Sequence, residues 1–181
     1  GNHLLLMPDR FSKSEDGTVL RSNGKDTHYM NDTNTTAGGF AGTKLYKTIM
    51  PSIQKKLEAD FGNHLLNFRE VVSTHVDDNG APDQAEWRDA KLGIPNEVMI
   101  YGTTLNGNNK NGSWYNIGDD DTQLPLFRLD PDEITNHRDW AFWLRDIHSA
   151  SEFAYASIGG DAYWHGAPGT WYGVRAFFLI G

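Results

Sequence analysis

The chain has 181 residues, a formal net charge of −8 and 12% aromatic residues. This length and a hydrophobic fraction of 38% suffice for a buried core, and we predict one domain over residues 1–181. The acidic balance lacks the basic footprint of a nucleic-acid-binding protein, so we expect no nucleic-acid partner. The absence of cysteine excludes thiol nucleophiles, disulfides and cysteine-ligated metals. No apolar run approaches the roughly 18 residues of a membrane span, so we expect no membrane insertion.

The first third of the chain predicts one strand, one long loop and one helix. The apolar residues 2–7, closed by Pro8, predict a buried strand, and this abrupt start indicates the C-terminal domain of a longer protein. Residues 12–42 are polar and rich in turn-forming residues, which predicts a long loop. Apolar residues then recur every fourth position, which predicts an amphipathic helix over residues 43–61 that Pro51 kinks or interrupts.

The middle of the chain predicts short elements separated by polar segments. They are a strand or short helix at 68–72, a turn at 76–82, a helical turn at 86–91, a helix at 94–102, a polar loop at 103–123 and an edge strand at 124–129. Pro95 suits the first turn of its helix, and Gly102 suits the end. Pro125 restricts the last segment to a sheet edge, because proline cannot donate to a ladder.

The last third predicts closing strands around an aromatic loop. Apolar runs at 140–145, 153–156 and 173–180 predict strands, and the whole pattern is α+β, with few helices, short antiparallel strands and much irregular loop. Glycine and proline punctuate residues 159–172, so we predict a loop there.

Four aromatic residues in that predicted loop point to recognition. They are Tyr163, Trp164, Trp171 and Tyr172. Tyrosine and tryptophan among Ser, Gly, Thr, Asp and His are typical of a contact surface, which combines rigid area with adaptable hydrogen bonding. We therefore predict that all four lie exposed on an ordered surface, whereas the residues after Gly173 are buried.

Other chemical signals are weak. The acidic run at residues 119–121 has the oxygen donors that Ca²⁺ prefers, but its spacing does not match an EF-hand, and a solvated turn is favoured. The seven histidines show no i, i+4 pair, and no nucleophile elbow or P-loop occurs. We expect no catalytic residues, no metal and no cofactor. A carboxylate pair for glycoside hydrolysis stays open, because the fold and not the spacing forms such a pair.

Three motifs near the C-terminus resemble a known family. WLRD at 143–146, FAY at 153–155 and GVRAFFLIG at 173–181 resemble the end of variable proteins of diversity-generating retroelements, although Ala176 replaces the family's proline. The family has a C-type-lectin fold of the formylglycine-generating-enzyme type, and the phage major tropism determinant is a relative. The stretch IPNE at 94–97 also resembles a helix start of that wider fold.

The resemblance implies that adenine-directed mutagenesis rewrites codons, often AAC, ahead of the fixed ending. Residues that AAC codons can become are Ile147, His148, Ser157, Ile158, Asp161, Tyr163, His165, Gly166, Thr170 and Tyr172. Trp164 and Trp171 do not arise from AAC. The ligand-binding residues that we predict are Ile147, His148, Ser157, Ile158, Asp161, Tyr163, Trp164, His165, Thr170, Trp171 and Tyr172. The scaffold residues that we predict are Trp143, Arg145, Val174, Arg175 and Phe177.

The resemblance also implies a function. We expect a non-enzymatic receptor-recognition domain on a virus particle, such as its tail, or on a cell surface. Its partner would be a protein or glycan on a host or target cell, and an oligomeric assembly is compatible with this role. Oxidases of the wider fold use a cysteine that this chain lacks, and residues 123–125 do not form a lectin Ca²⁺ motif. The alternatives are a carbohydrate-active enzyme and a structural tail or capsid module whose assembly buries residues 163–172.

Overall fold

The computed structural model describes residues 2–8, 28–108, 123–135, 141–169 and 172–181. Its strands are β1 (Leu4–Leu6), β2 (Leu65–Leu66), β3 (Phe68–Val76), β4 (Pro82–Ala90), β5 (Ala141–Ile147), β6 (Glu152–Ala156), β7 (Ala162–Gly166), β8 (Tyr172–Gly173) and β9 (Phe178–Ile180). Its α-helices are α1 (Met50–Phe61), α2 (Glu97–Tyr101) and α3 (Pro125–Leu129). Short 3₁₀ turns lie at Phe40–Gly42, Gly62–His64 and Pro131–Ile134. This mixture confirms the α+β class.

The strands form three small sheets. β9 lies between β1 and β2 and is antiparallel to both. β3 and β4 form a long antiparallel hairpin. The third sheet has the order β7-β6-β5-β8; its first three strands form an antiparallel meander, and β8 is parallel to β5. β7 is therefore an edge strand among the described residues, and this sheet carries most of the predicted binding residues.

The core lies around β5, and the predicted scaffold residues are buried in it. Trp143, Val174 and Phe177 are buried, as are the two arginines, Arg145 and Arg175. A buried charge is tolerated only where partners replace water. The guanidinium of Arg145 meets the buried Glu70 carboxylate at 2.6 Å, and that of Arg175 lies over aromatic rings and donates to a carbonyl oxygen.

The predicted helix over residues 43–61 begins with a π-helical turn at Leu45–Ile49, followed by α1. Thr43 caps its start, because its hydroxyl accepts the N–H of Tyr46. Pro51 lies in the first turn of α1, so it marks the interruption and does not kink a continuous α-helix. Gly62 ends α1 with φ +54°, a conformation that favours glycine.

Four predictions of local structure were wrong. The helical turn at 86–91 is instead the end of β4, which pairs with β3 at eight positions. The edge strand at 124–129 is α3, because proline is equally suited to a first helical turn. The predicted loop at 159–172 contains β7. The predicted strand at 173–180 is regular only in β8 and β9, since the chain crosses between two sheets there.

The burial predicted for the first strand was also wrong. β1 forms as a strand, but Leu4 is 64% exposed, because β1 pairs only with β9 and lies at the edge of its sheet. Of the predicted loop at 12–42, residues 28–42 are described and are irregular except for the 3₁₀ turn. Residues 12–27 and the acidic run at 119–121 lie outside the described ranges.

Candidate functional site

The candidate site is the hairpin of β6 and β7. Each residue of β7 is paired with one of β6, so that Tyr163 lies opposite Tyr155 and His165 opposite Phe153. The Ser157 hydroxyl accepts the N–H groups of Gly159 and Asp161 and so orders the turn. The aromatic side chains of this segment therefore project from a strand and not from a loop.

One face of β7 carries a cluster of aromatic rings, which we call the tyrosine face and define as Trp143, Tyr155, Tyr163, His165 and Tyr172. Tyr155 lies at its centre: its ring centroid is 6.4 Å from that of Trp143, 6.1 Å from Tyr163 and 4.3 Å from Tyr172. Tyr172 also contacts Trp143 at 4.3 Å and His165 at 5.3 Å. Burial raises the pKa of Tyr172. The face thus runs from the fully buried Trp143 to Tyr163, which is 47% exposed.

The opposite face of β7 carries Trp164. Its ring stacks on His148, with centroids 4.3 Å apart and planes inclined by 17°. The Nδ1 atom of His148 donates to the Asn106 carbonyl at 2.7 Å, because a carbonyl oxygen only accepts. The N–H of Asn108 donates to the carbonyl of Ile147. A loop at residues 104–108 therefore supports Trp164 through His148.

Two buried carboxylates hold this loop. Glu97 accepts the N–H groups of Leu105, Asn106 and Gly107 at 2.8–3.0 Å. Asp146 accepts the N–H of Glu97 at 2.7 Å. Burial, with the nearby Glu97 carboxylate, raises the pKa of Asp146 to about 7. Both groups are fully buried. Glu97 and one oxygen of Asp146 accept backbone N–H groups, which gives both side chains a structural role at this loop.

The structure brings most of the predicted binding residues to the hairpin surface. Ile158, Asp161, Tyr163, Trp164 and His165 are exposed, and His148 and Ser157 are half-buried. Two other predicted binding residues are buried, and for Tyr172 the predicted exposure was wrong. Ile147 is buried because it pairs with Phe153 inside the sheet, and Tyr172 is only 6% exposed because rings of the tyrosine face cover it. Thr170 and Trp171 lie outside the described residues.

Sequence reasoning missed two residues of the site. Tyr155 is the centre of the tyrosine face, and Asn106 provides the carbonyl that orients His148. The signal for Tyr155 is the two-residue period of its strand, which places it on the side opposite Ala154 and Ala156. No local pattern marks Asn106, because only the fold brings it to His148.

Three clefts of about 240 to 460 Å³ lie among the described residues, away from the hairpin. One lies between β1, α1 and residue 181, one between residues 38–42 and Arg88, and one beside His28 and Lys44. None of the three is lined by two carboxylates. Within the described ranges, no three His, Asp or Glu side chains are grouped as metal ligands. No helix in these ranges is both long and apolar enough to cross a membrane.

No protein-family model, curated protein or solved structure matches the chain.

Proposed function

We propose that the chain is a ligand-binding domain whose contact surface is the β6–β7 hairpin. The observation that carries this proposal is the pair Tyr163 and Trp164, which are 47% and 44% exposed although a sheet holds their backbone in place. Large aromatic side chains that are exposed yet ordered provide binding energy without a large loss of side-chain entropy.

The hairpin is also suited to exchange of its side chains. β7 pairs with β6 through its backbone, and the buried core includes β5 and residues 174–178. Replacing exposed residues of such a strand usually changes stability by only about 0.5 kcal/mol. This tolerance supports the wider proposal of a retroelement-diversified variable protein with a C-type-lectin fold, displayed on a virus particle or a cell surface.

The partner that we propose is a protein or glycan on a host or target cell. The enzymatic alternative gains no support from the three clefts, since none pairs two carboxylates. The close pair of Glu97 and Asp146 is buried and gives a substrate no access.

Binding of the labelled chain to intact cells and to a defined glycan array tests the proposal. Y163A/W164A should lose most of the signal. The matched control is W87A, because Trp87 is 54% exposed but lies on β4, in another sheet. Equal binding by the double variant and the wild type would refute the assignment of the site. The retroelement itself is tested by the flanking DNA, which should contain a reverse-transcriptase gene and a near-copy of codons 140–181 differing at adenines.

A further inference from the structure

We propose that the open edge of β7 binds an extended peptide segment of the partner, which adds to the sheet as a fifth strand. The proposal rests on the function proposed above and specifies its ligand: a peptide backbone recognised by the strand edge, with side chains recognised on both faces.

The ladder between β6 and β7 shows which backbone groups are open. At one end of the hairpin the Ser157 N–H donates to the backbone carbonyl of Asp161. At the other end the Ala167 N–H donates to the backbone carbonyl of Ser151. Hydrogen-bonded pairs alternate along an antiparallel ladder, so Tyr163 and His165 direct their N–H and C=O groups toward β6. Ala162 and Trp164 therefore direct theirs away from β6, toward the open side of the sheet.

These outward groups have no partner in the described part of the chain. Among the described residues, no hydrogen bond outside the β6 ladder involves the backbone of Ala162 or Trp164. The open part of the edge ends at Gly166. There the Gly166 carbonyl accepts the N–H of Gly169, and the Asn34 side chain lies against Gly166. The open length is thus residues 162–165, with two residues that each offer a donor and an acceptor to an added strand.

The exposed side chains of β7 lie on both of its faces. Tyr163 and His165 project on the tyrosine face, whereas Trp164 projects on the other face, against His148. A ligand that rests on one face of the sheet would leave the other aromatic group unused. A strand beside β7 would place alternate side chains against each face, because its residues alternate in the same way.

The edge also lacks the features that usually prevent strand addition. Natural edges carry lysine, proline or inward-facing charge. The sequence of β7 is AYWHG, which contains none of these. By contrast, β4 begins at Pro82 and carries Asp83, Glu86, Arg88 and Asp89.

A peptide fits this edge better than a second copy of the chain. The four open residues span about 13 Å, and so short a strand contact falls well below the roughly 800 Å² per partner of a stable dimer. Two copies would also repel each other, because each carries a net charge of −8. A single strand from a partner requires no further interface.

The test uses short linear peptides selected from a random display library on the folded wild-type chain. Their affinities are then measured for A162P and A162T. The proline removes one outward N–H and leaves the β6 ladder and all aromatic side chains in place, whereas the threonine keeps that N–H. Circular dichroism and thermal melting report whether each variant is folded. A162P should bind about tenfold more weakly than A162T, as expected for one lost backbone hydrogen bond and a steric clash.

A second measurement does not depend on the variants. N-methylation of each peptide bond in turn should weaken binding at every second residue, because alternate N–H groups face β7. Selected peptides that are insensitive to both A162P and N-methylation would overturn the proposal, as would failure to select any. Self-association of the wild type that A162P abolishes would assign the edge to a second copy instead. In each of these cases Y163A/W164A would still lose cell binding. The proposal of strand addition can therefore fail while the proposed contact surface holds.

Discussion

Two tyrosines of the tyrosine face, Tyr163 and Tyr172, have the same chemistry and opposite roles. Both contact Tyr155, but Tyr163 is half exposed, and Tyr172 lies between Trp143, Tyr155 and His165. The difference arises because three rings cover Tyr172 on β8, beside β5, whereas Tyr163 lies on β7, at the opposite edge of the sheet, and is half exposed. The free energy that each contributes to folding should differ accordingly.

We predict that Y172A lowers the free energy of unfolding by about 3–5 kcal/mol, the range found for large aromatic residues removed from a core. Y163A should lower it by less than about 1 kcal/mol, because about half of that side chain is exposed to solvent and it lies outside the core. Urea denaturation followed by circular dichroism measures both. Equal losses in the two variants would mean that Tyr163 is a core residue and not part of an exchangeable surface.

The free energy of unfolding should depend on pH through the carboxyl group of Asp146. Its pKa is about 7 in the folded chain and near 3.8 in an unfolded one. Between these values the folded state holds more protons, so the free energy of unfolding should fall as the pH rises from about 4 to 7, by at most about 1.4 kcal/mol per unit. D146N keeps an acceptor for the Glu97 N–H and removes the titration.

Denaturation of D146N at a series of pH values checks this expectation. The decline between pH 4 and 7 should be smaller than in the wild type, and D161N, which changes an exposed carboxylate, should retain the wild-type slope. A D146N slope identical to that of the wild type would show that Asp146 is already ionised at low pH.

At the scale of elements, the loop at 104–108 depends on one side chain of α2. Glu97 accepts three N–H groups from it, and the loop in turn orients His148 under Trp164. A buried side chain at the first residue of α2 thereby supports an exposed aromatic group on a strand of the third sheet.

We predict that E97A accelerates hydrogen exchange at the amides of Leu105, Asn106 and Gly107 and lowers the free energy of unfolding by about 3 kcal/mol, because these donors lose a charged acceptor. E86A removes an exposed glutamate from β4 and should leave exchange in the loop unchanged. Protection of the three amides that survives in folded E97A would mean that other groups hold the loop.

Sequence patterns correctly predicted the elements that have continuous apolar runs. They did not predict elements whose conformation or burial depends on contacts with distant parts of the chain. β5 and β6 were predicted because their residues are apolar on buried faces. β7 was not, because its contact with the core is limited to one side and glycines flank it. The five residues of α3 suit a strand or a helix equally, and Pro125 is allowed in both. The hairpin surface was predicted from its aromatic composition, but the burial of Tyr172 depends on β8 lying beside β5.

At the scale of the whole molecule, a buried ion pair joins the β3–β4 hairpin to the third sheet. Glu70 of β3 and Arg145 of β5 meet at 2.6 Å, and both are almost wholly buried. Burial raises the pKa of Glu70 even though Arg145 opposes the shift. Such a pair fixes the relative position of two elements more than it adds net stability.

We predict that E70A lowers the free energy of unfolding by about 3–5 kcal/mol, because it leaves the Arg145 charge buried without this carboxylate. The double variant E70L/R145M should recover most of that loss. A denaturation cycle of the single and double variants measures the coupling. If E70A alone costs less than about 1 kcal/mol, water or another group compensates the arginine, and the pair does not join the two sheets.

The alternation of side chains along β7 affects how the chain can evolve. Trp164 lies between Tyr163 and His165 in the gene, yet it meets different neighbours on the other side of the sheet. Substitutions that share no partners usually have additive effects. Under the binding function proposed for the hairpin, substitutions of Trp164 should therefore change affinity independently of substitutions of Tyr163 and His165.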